Sequence, residues 1–522
     1  MSQPVRKVST DEIGGLLSYI QEKGVKLWLQ DGQLHYKAPK NALSQKDIET
    51  IRLAKGQIVS LLQERSSDSA DGATLQHYRW RNRAPLTYSQ MTHWRMYELN
   101  HRPSLRQIAA ATRLRGSLNI GILEEKLAHM VLRHEALRTR VILADGTPVQ
   151  EISDSSDFEF EFDNVSCYNH DIGEVTLERR IQSFIIKPIN LASDSLFGVL
   201  LLRIRKDEHV LVLAMEHSIS DAFSMCILLR ELFTTYAQAL RQQALSLPPI
   251  SVQFPDYARW QEQAREAWIE HHGSYWKDRL AGCGRLRFPA DGTSLLGEAS
   301  AGWGTVSIHI GKSLKHELSE WCRVRKTTLV MAVFTAYVAL VLRWCNAKDA
   351  VIQYQTDGRT DPKFENTIGY FASVLYLRVQ LLDSNNFVDL LDRITREYCN
   401  AHYHADSSYM ESQSPKPAFT HNSWFNWVSR GYRTDCLDTV GLSNLISCTP
   451  VDFDHPMLSN MRRDGEPIVL LFDGSEEIQG GVCFPLDRFS NGNIERFAAN
   501  FMMVLEKLLR KPEEWVNDFV LL

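Results

Sequence analysis

The sequence predicts an α/β protein: a small αββα module followed by two larger lobes in which strands and helices alternate. Three observations predict it. Residues 1–65 hold a helix-spaced apolar set, a hairpin signal and a second helical stretch, and the small polar run SSDSADGA at 66–73 follows them as a linker. From Pro85 onward, strand-like apolar runs alternate with helical patterns and no short repeat recurs. That remainder divides into two comparable assemblies of roughly 200 residues each, an ordinary domain size. The expected division is a module at 1–65, a linker at 66–78, a first lobe at 79–250 and a second lobe at 251–522.

Each element has its own warrant. Ile13, Leu16, Leu17 and Ile20 share one face of a helix over 11–22. Residues 25–29 and 33–36 read as short strands around the Asp31-Gly32 turn, and Pro39 ends that hairpin. A helix over 44–64 follows, with Ser44 as its N-cap. In the first lobe, 121–137 is an amphipathic helix and 140–152 a hairpin around Asp145-Gly146. A strand at 210–215 then leads into a helix at 225–240. In the second lobe a helix carries Tyr275, Trp276 and Leu280, and 315–344 is helical. Residues 350–354 and 374–382 are strand-like, and an amphipathic helix at 494–509 closes the chain.

Composition narrows the function. The 522 residues are 44% hydrophobic and 23% charged, enough apolar material for large cores. A net charge of −5 argues against nucleic acid as the main partner. Ten basic against seven acidic residues over 1–65 leave that module at +3 and the remainder at −8, so the module suits a partner with an acidic surface. The longest apolar run, 329–342, is too short to cross a bilayer comfortably, and no secretory signal opens the chain. Nine cysteines without C-x-x-C spacing suit reduced thiols in the cytoplasm. With no zinc pattern, Walker loop or dinucleotide fingerprint, neither a metal nor a cofactor bound by the chain itself is expected.

The chemistry concentrates in Glu216-His217-Ser218-Ile219-Ser220-Asp221-Ala222-Phe223-Ser224. A strand that ends on a histidine and turns over small residues into a helix can hold an imidazole at a fixed point in a cleft. His217 could accept a proton near neutral pH. Asp221 could fix the turn by accepting backbone hydrogen bonds or by pairing with an arginine. Spacing alone also suits a core histidine at a strand end. Alternation along an extended strand would turn Glu216 and His217 to opposite faces.

This stretch resembles the His-His-x-x-x-Asp-Gly signature of nonribosomal peptide synthetase condensation domains, with Glu216 at the first histidine and Ala222 at the glycine. Pro85-Leu86-Thr87-Tyr88-Ser89-Gln90 with Trp94 resembles their opening motif. Arg133-His134-Glu135-Ala136-Leu137-Arg138-Thr139 is similar to the second. Phe254-Pro255-Asp256-Tyr257-Ala258-Arg259-Trp260 with Tyr275-Trp276, and Ile368-Gly369-Tyr370-Phe371-Ala372-Ser373-Val374-Leu375, resemble two later ones. Ser373 stands where asparagine is common, and the stretch after Cys399, with His404-Ala405-Asp406-Ser407, lacks the family's His…Pro-Phe-Glu pattern. Residues 1–65, with KLWLQDGQLHYKAP, resemble the TubC-type N-terminal docking domains of synthetase proteins.

The resemblance implies two chloramphenicol-acetyltransferase-like lobes forming a V-shaped pseudo-dimer. A tunnel between them would admit phosphopantetheine arms from donor and acceptor carrier proteins, and amide bond formation would occur beside His217. Glu216, Asp221, Ala222, Ser224 and Arg138 would support that site, and Tyr88, Gln90, Trp94 and Ser373 would line the tunnel. Trp28, Leu34 and Tyr36 would receive the C-terminal tail of an upstream synthetase by β-augmentation. Glu216, Asp221 and Ser224 also echo the heterocyclization signature. An ester-forming variant and a catalytically silent carrier-recruiting platform are the other readings.

Overall fold

The structure, a computed structural model, describes residues 25–30, 33–37, 43, 48, 51, 52, 55, 58, 59, 82–100, 104–165, 170–291, 302–359, 361–382, 386–405, 423–428, 446–451, 466–474, 476–518 and 521. The expected helix at 11–22, the Asp31-Gly32 turn, Pro39, Ser44, the run at 66–73, Asp406 and Ser407 lie outside them.

The N-terminal strands β1 (Lys26–Gln30) and β2 (Gln33–Lys37) pair antiparallel, with Trp28 opposite His35. A three-stranded sheet follows, in the order β3 (Arg83–Pro85), β6 (Thr147–Ile152), β5 (Thr139–Ala144). Its β5–β6 hairpin turns at Asp145 and Gly146, both at positive φ, as the Asp-Gly pair requires.

A five-stranded sheet forms the heart of the first lobe. It uses β4 (Ile108–Arg115), β7 (Glu159–Asn164), β8 (Phe197–Arg205), β9 (Glu208–Met215) and β14 (Ser447–Val451), in the order β14-β4-β9-β8-β7. Every residue of β9 is buried, and its last residue, Met215, is paired on one side by Ile108 and on the other by Phe197. The chain therefore leaves a fully fixed central strand as it enters Glu216. Helices α1 (Tyr88–Asn100), α2 (Ile120–Arg133), α3 (His170–Ile185) and α4 (Ala222–Leu240) belong to this half.

The second half holds a six-stranded sheet in the order β10-β16-β15-β13-β11-β12. Its strands are β10 (Trp303–Ile310), β11 (Asp349–Thr356), β12 (Ser373–Gln380), β13 (Trp424–Val428), β15 (Ile468–Asp473) and β16 (Ile478–Pro485). Its helices are α5 (Phe254–Arg279), α6 (Lys312–Arg325), α7 (Leu329–Trp344), α8 (Phe387–Tyr403) and α9 (Asn491–Arg510). Residues 330–342 of α7 are all buried, so this apolar run is the central core helix.

The halves are not separable along the chain. Strand β14 pairs with β4 of the five-stranded sheet, and Phe254, Phe364, Ile368 and Phe371 pack into that sheet's core. Three expected elements also change. The helix over 315–344 breaks into α6 and α7, because Lys326 takes a left-handed conformation (φ 55°) and Thr328 caps α7 by accepting from the Met331 amide. The helix over 121–137 stops at Arg133. His134 is extended there, with its ring bonded to Glu231 on α4, and Glu135–Arg138 is a separate 3-10 turn. Residues 254–260 and 275–276 lie on one helix, α5, which Asp256 opens through a capping box with Gln253. Among the described residues no single helix is long and apolar enough to cross a membrane.

Candidate functional site

The end of β9 delivers Glu216 and His217 into a short 3-10 turn, His217–Ile219, and Asp221 then caps α4. Because the strand ends at Met215, strand alternation does not govern these two side chains. Glu216 turns inward and is fully buried. It accepts hydrogen bonds from the Ser218 amide at 2.5 Å, from Ser104 Oγ at 2.7 Å and from His93 Nε2 at 2.7 Å. Burial alone would raise its pKa, but the His93 charge and these donors outweigh it and bring Glu216 to about 2.

His217 is partly exposed. Its Nδ1 lies 3.0 Å from the Ser220 carbonyl, an oxygen that can only accept, so Nδ1 carries the proton. In the neutral ring Nε2 is then the lone-pair nitrogen. Burial holds the His217 pKa below the ordinary imidazole value. The positive charge on His93 adds to that, and Glu216 and Asp221 offset part of it. The Tyr370 ring packs at 4.3 Å between centroids, tilted by 44°.

Two further bonds lock the turn. Gln90 Nε2 donates to the Ser218 carbonyl at 2.7 Å, and Ser220 Oγ donates to the Glu216 carbonyl at 2.9 Å. Gln90 is fully buried, so it braces the turn from within and cannot line an open passage. Tyr88, Trp94 and Ser373 are half-buried. Tyr88 opens α1 and its amide donates to Gln261, Trp94 packs on the first-lobe core, and Ser373 begins β12 opposite Thr356. Ser89 Oγ donates to the Ala372 carbonyl at 3.2 Å, which ties the start of α1 to the start of β12.

Asp221 anchors the other end of the turn, and it does both things expected of it. It accepts from the Ser224 amide at 2.8 Å and from the amides of Phe371 and Ala372 at 3.1 and 3.3 Å. It also forms a two-pronged pair with Arg359, at 2.8 and 3.1 Å. The Arg359 side chain is 2% exposed and lies between the rings of Phe223 and Phe371, 4.7 and 4.5 Å from their centroids. Ser224 Oγ lies 2.8 Å from Asp221 and accepts from Arg359 and from the Gly369 amide. Ala222 is the first residue of α4 and its φ is not positive, so a side chain fits where glycine is usual. Arg138 stands apart: its guanidinium donates to the Ser153 carbonyl and lies 3.7 Å from Glu135, holding the 3-10 turn to the hairpin.

Sequence reasoning missed His93, Ser104 and Arg359. His93 sits one turn beyond Gln90 on the same helix face, a spacing that could have flagged it. Arg359 follows Gly358, whose φ of +65° and contact with the Phe371 carbonyl (a Cβ there would lie 1.9 Å away) leave room only for glycine. In the N-terminal hairpin Leu34 is half-buried and Tyr36 is 54% exposed, while the Trp28 side chain lies outside the described residues. Among the described residues no cluster of three or more His, Cys, Asp or Glu could hold a metal ion.

A condensation-domain model matches residues 81–417, well over half the chain. The chain belongs to the condensation-domain family. Condensation domains of nonribosomal peptide synthetases form amide bonds, an acyltransferase reaction, on groups held by phosphopantetheine carriers. Residues 13–64 of this condensation-domain protein match a TubC N-terminal docking domain. A linear gramicidin synthase of Brevibacillus parabrevis is 29% identical over 325 residues, covering 62% of this chain and 6% of its own length. Enniatin synthase of Fusarium equiseti is 26% identical over 448 residues, covering 83% and 14%. The condensation domain thus spans a small fraction of the curated relatives it matches.

Solved structures share the fold. The X-domain from teicoplanin biosynthesis superposes with a TM-score of 0.71 at 21% identity, over 86% of this chain and all of that one. The first condensation domain of the CDA synthetase gives 0.65 at 16%, over 84% and 99%. The two sheet-and-helix lobes are the chloramphenicol-acetyltransferase-like pseudo-dimer of this family.

Proposed function

We propose that this condensation domain joins a donor acyl or peptidyl thioester to the amine of an acceptor aminoacyl thioester, both brought on phosphopantetheine arms by carrier proteins. The observation that carries this reading is His217. It is a partly exposed imidazole whose Nδ1 is committed to the Ser220 carbonyl, which leaves Nε2 to accept a proton. The acceptor amine attacks the donor carbonyl, the C–N bond forms, the C–S bond breaks, and sulfur leaves as a thiolate. The amine's proton passes to His217 Nε2 and from there to that thiolate. A base in this position is worth about 10²- to 10⁴-fold, and holding both thioesters in register supplies the rest.

Tyr88, Trp94 and Ser373 are the lining residues in this reading, and the β1–β2 hairpin is the docking surface. Tyr36 is exposed on it, and the +3 charge of residues 1–65 suits an acidic tail of an upstream synthetase. The reading uses the division at 65, 78 and 250 and a cytoplasmic setting. Glu216 in place of the first histidine favours a second reading, a silent platform that recruits carriers without chemistry.

Intact-mass spectrometry of a loaded acceptor carrier, mixed with a loaded donor carrier and either wild type or His217→Ala, separates the two. A mass gain lost in the variant, with carrier binding unchanged, is the expected result. An equal gain in both proteins removes His217 from the centre of the reaction. No gain from wild type with bound carriers favours the platform.

A further inference from the structure

The site contains a second imidazole that no motif points to. His93, on α1, lies 5.9 Å from His217 between ring centroids and 6.3 Å, edge-on, from the Tyr370 ring that packs against His217. Its side chain is 19% exposed and its Nε2 donates to the fully buried carboxylate of Glu216 at 2.7 Å. A buried carboxylate is costly unless a cation or several donors compensate it. Here the compensating cation is itself titratable, and it stands one ring away from the proposed proton acceptor.

We infer that the His93–Glu216 pair is a positioning element of the reaction centre: His93, held as imidazolium by Glu216, sets the charge that His217 faces and keeps His217 a neutral proton acceptor. The inference rests on the condensation reading for its use in turnover, but its charge order can be measured without turnover. Several other groups face the pair. His217 comes from the turn, where it also feels Asp221; Tyr97, on α1 itself, feels the Glu216 charge; and the Tyr370 ring meets His93 edge-on from the loop before β12. Asp221 is paired with Arg359, and Glu216 is the carboxylate bonded to His93.

The direction of each titration agrees with this geometry. Burial pulls His93 down, but the Glu216 charge and hydrogen bond outweigh it, so His93 stays protonated above the ordinary imidazole range. His217 moves the other way, through burial and then through the His93 charge. A glutamate at 216 therefore does not simply raise the basicity of its neighbour. Its charge is spent on His93, and His93 presents a cation to His217.

The test is NMR titration of the histidine side chains in the full chain, for wild type, His93→Gln and His93→Gln/Glu216→Gln, run beside the rate–pH profile of the carrier assay. In wild type, His93 titrates above His217. In His93→Gln the cation is lost while Glu216 remains, so the His217 transition rises by about two pH units, from one charge near 6 Å at an effective dielectric of about 20. The double variant removes both charges, so the transition falls back from its His93→Gln position by the share that Glu216 had raised it. The acidic limb of the rate–pH profile should move with the His217 transition, which a merely structural role would not produce.

A wild-type order with His217 above His93 overturns the inference whether or not the variants fold. So does a folded His93→Gln protein whose His217 transition stays where it was. If wild type makes no amide but the expected order and shift are seen, the charge-setting role stands and the condensation reading fails. If wild type makes amide and the order is reversed, condensation stands and this role falls.

Discussion

Asp221 and Arg359 form a buried ion pair whose removal should be expensive one residue at a time and cheaper when both go. The pair spans 138 positions of sequence, from the cap of α4 to the loop after β11, and both side chains are almost fully enclosed. Asp221→Asn leaves the guanidinium between two aromatic rings without its counter-charge, and Arg359→Met leaves the carboxylate with only neutral donors. Breaking a buried pair by removing one partner costs about 3–5 kcal/mol. The two lobes are interlocked, and at an unfolding entropy of about 2 cal/mol/K per residue a unit of that size shifts by about 1 °C per kcal/mol, so each single variant should lower the thermal midpoint by roughly 3–5 °C. The double variant removes both buried charges and should lose clearly less than the two singles together. Because Asp221 also accepts from the amides of Phe371 and Ala372, the singles should slow the carrier reaction as well, read by intact mass under saturating carriers. Differential scanning calorimetry of the four proteins at one pH decides the matter. Midpoint losses that simply add in the double variant would refute the reasoning, since they would mean that the two side chains do not act as a pair.

Two other predictions concern the same turn. Glu216 falls from an ordinary 4.5 to about 2 in the folded protein, so its stabilisation is complete above pH 4.5 and is lost as pH falls towards 2, on the order of 3 kcal/mol. His93, raised by the same contact, contributes fully below 6.5 and loses its share as pH rises through its folded value. Midpoint-against-pH curves should therefore fall more steeply between 4.5 and 2 in wild type than in Glu216→Gln, and parallel curves would contradict this. Gly358→Ala should cost far more stability than Gly282→Ala, although both glycines have positive φ. A Cβ at 282 meets open space, whereas one at 358 would displace the Phe371 carbonyl and with it the Ala372 amide that bonds Asp221. Equal midpoint losses in the two variants would show that backbone conformation alone sets the cost, about 1–2 kcal/mol.

What was legible in the sequence was local. Asp145-Gly146 announced its hairpin because both residues take positive φ there. The apolar run at 329–342 announced a core helix, and His217 with Asp221 announced a turn between strand and helix. The break at Lys326 was silent because no glycine or proline marks it, and α5 runs through 254–279 because its capping box, not its composition, states where it begins. The His93–Glu216 and Asp221–Arg359 pairs join residues 123 and 138 positions apart, a separation to which periodicity is blind. Gln90 shows the same limit from the other side. Its position in the motif was visible, but only the bond to the Ser218 carbonyl shows that it braces the turn.

The turn that carries His217 is thus bounded by two buried carboxylates, each matched to a cation from a distant part of the chain. Asp221 faces a guanidinium, which stays charged at every pH a protein survives. Glu216 faces an imidazole, which does not. The C-terminal end of the turn is held by the Asp221–Arg359 pair, and Asp221 also gathers the amides of Phe371 and Ala372 from the loop before β12. The N-terminal end is held by a pair that weakens as His93 deprotonates. Of the two changes from the usual signature, Ala222 alters only the first residue of a helix, whereas Glu216 changes which group near His217 responds to pH. Histidine at 216 would add another titratable ring there. Glutamate, paired with His93, instead places an imidazolium beside His217 and leaves His217 as the ring able to accept a proton.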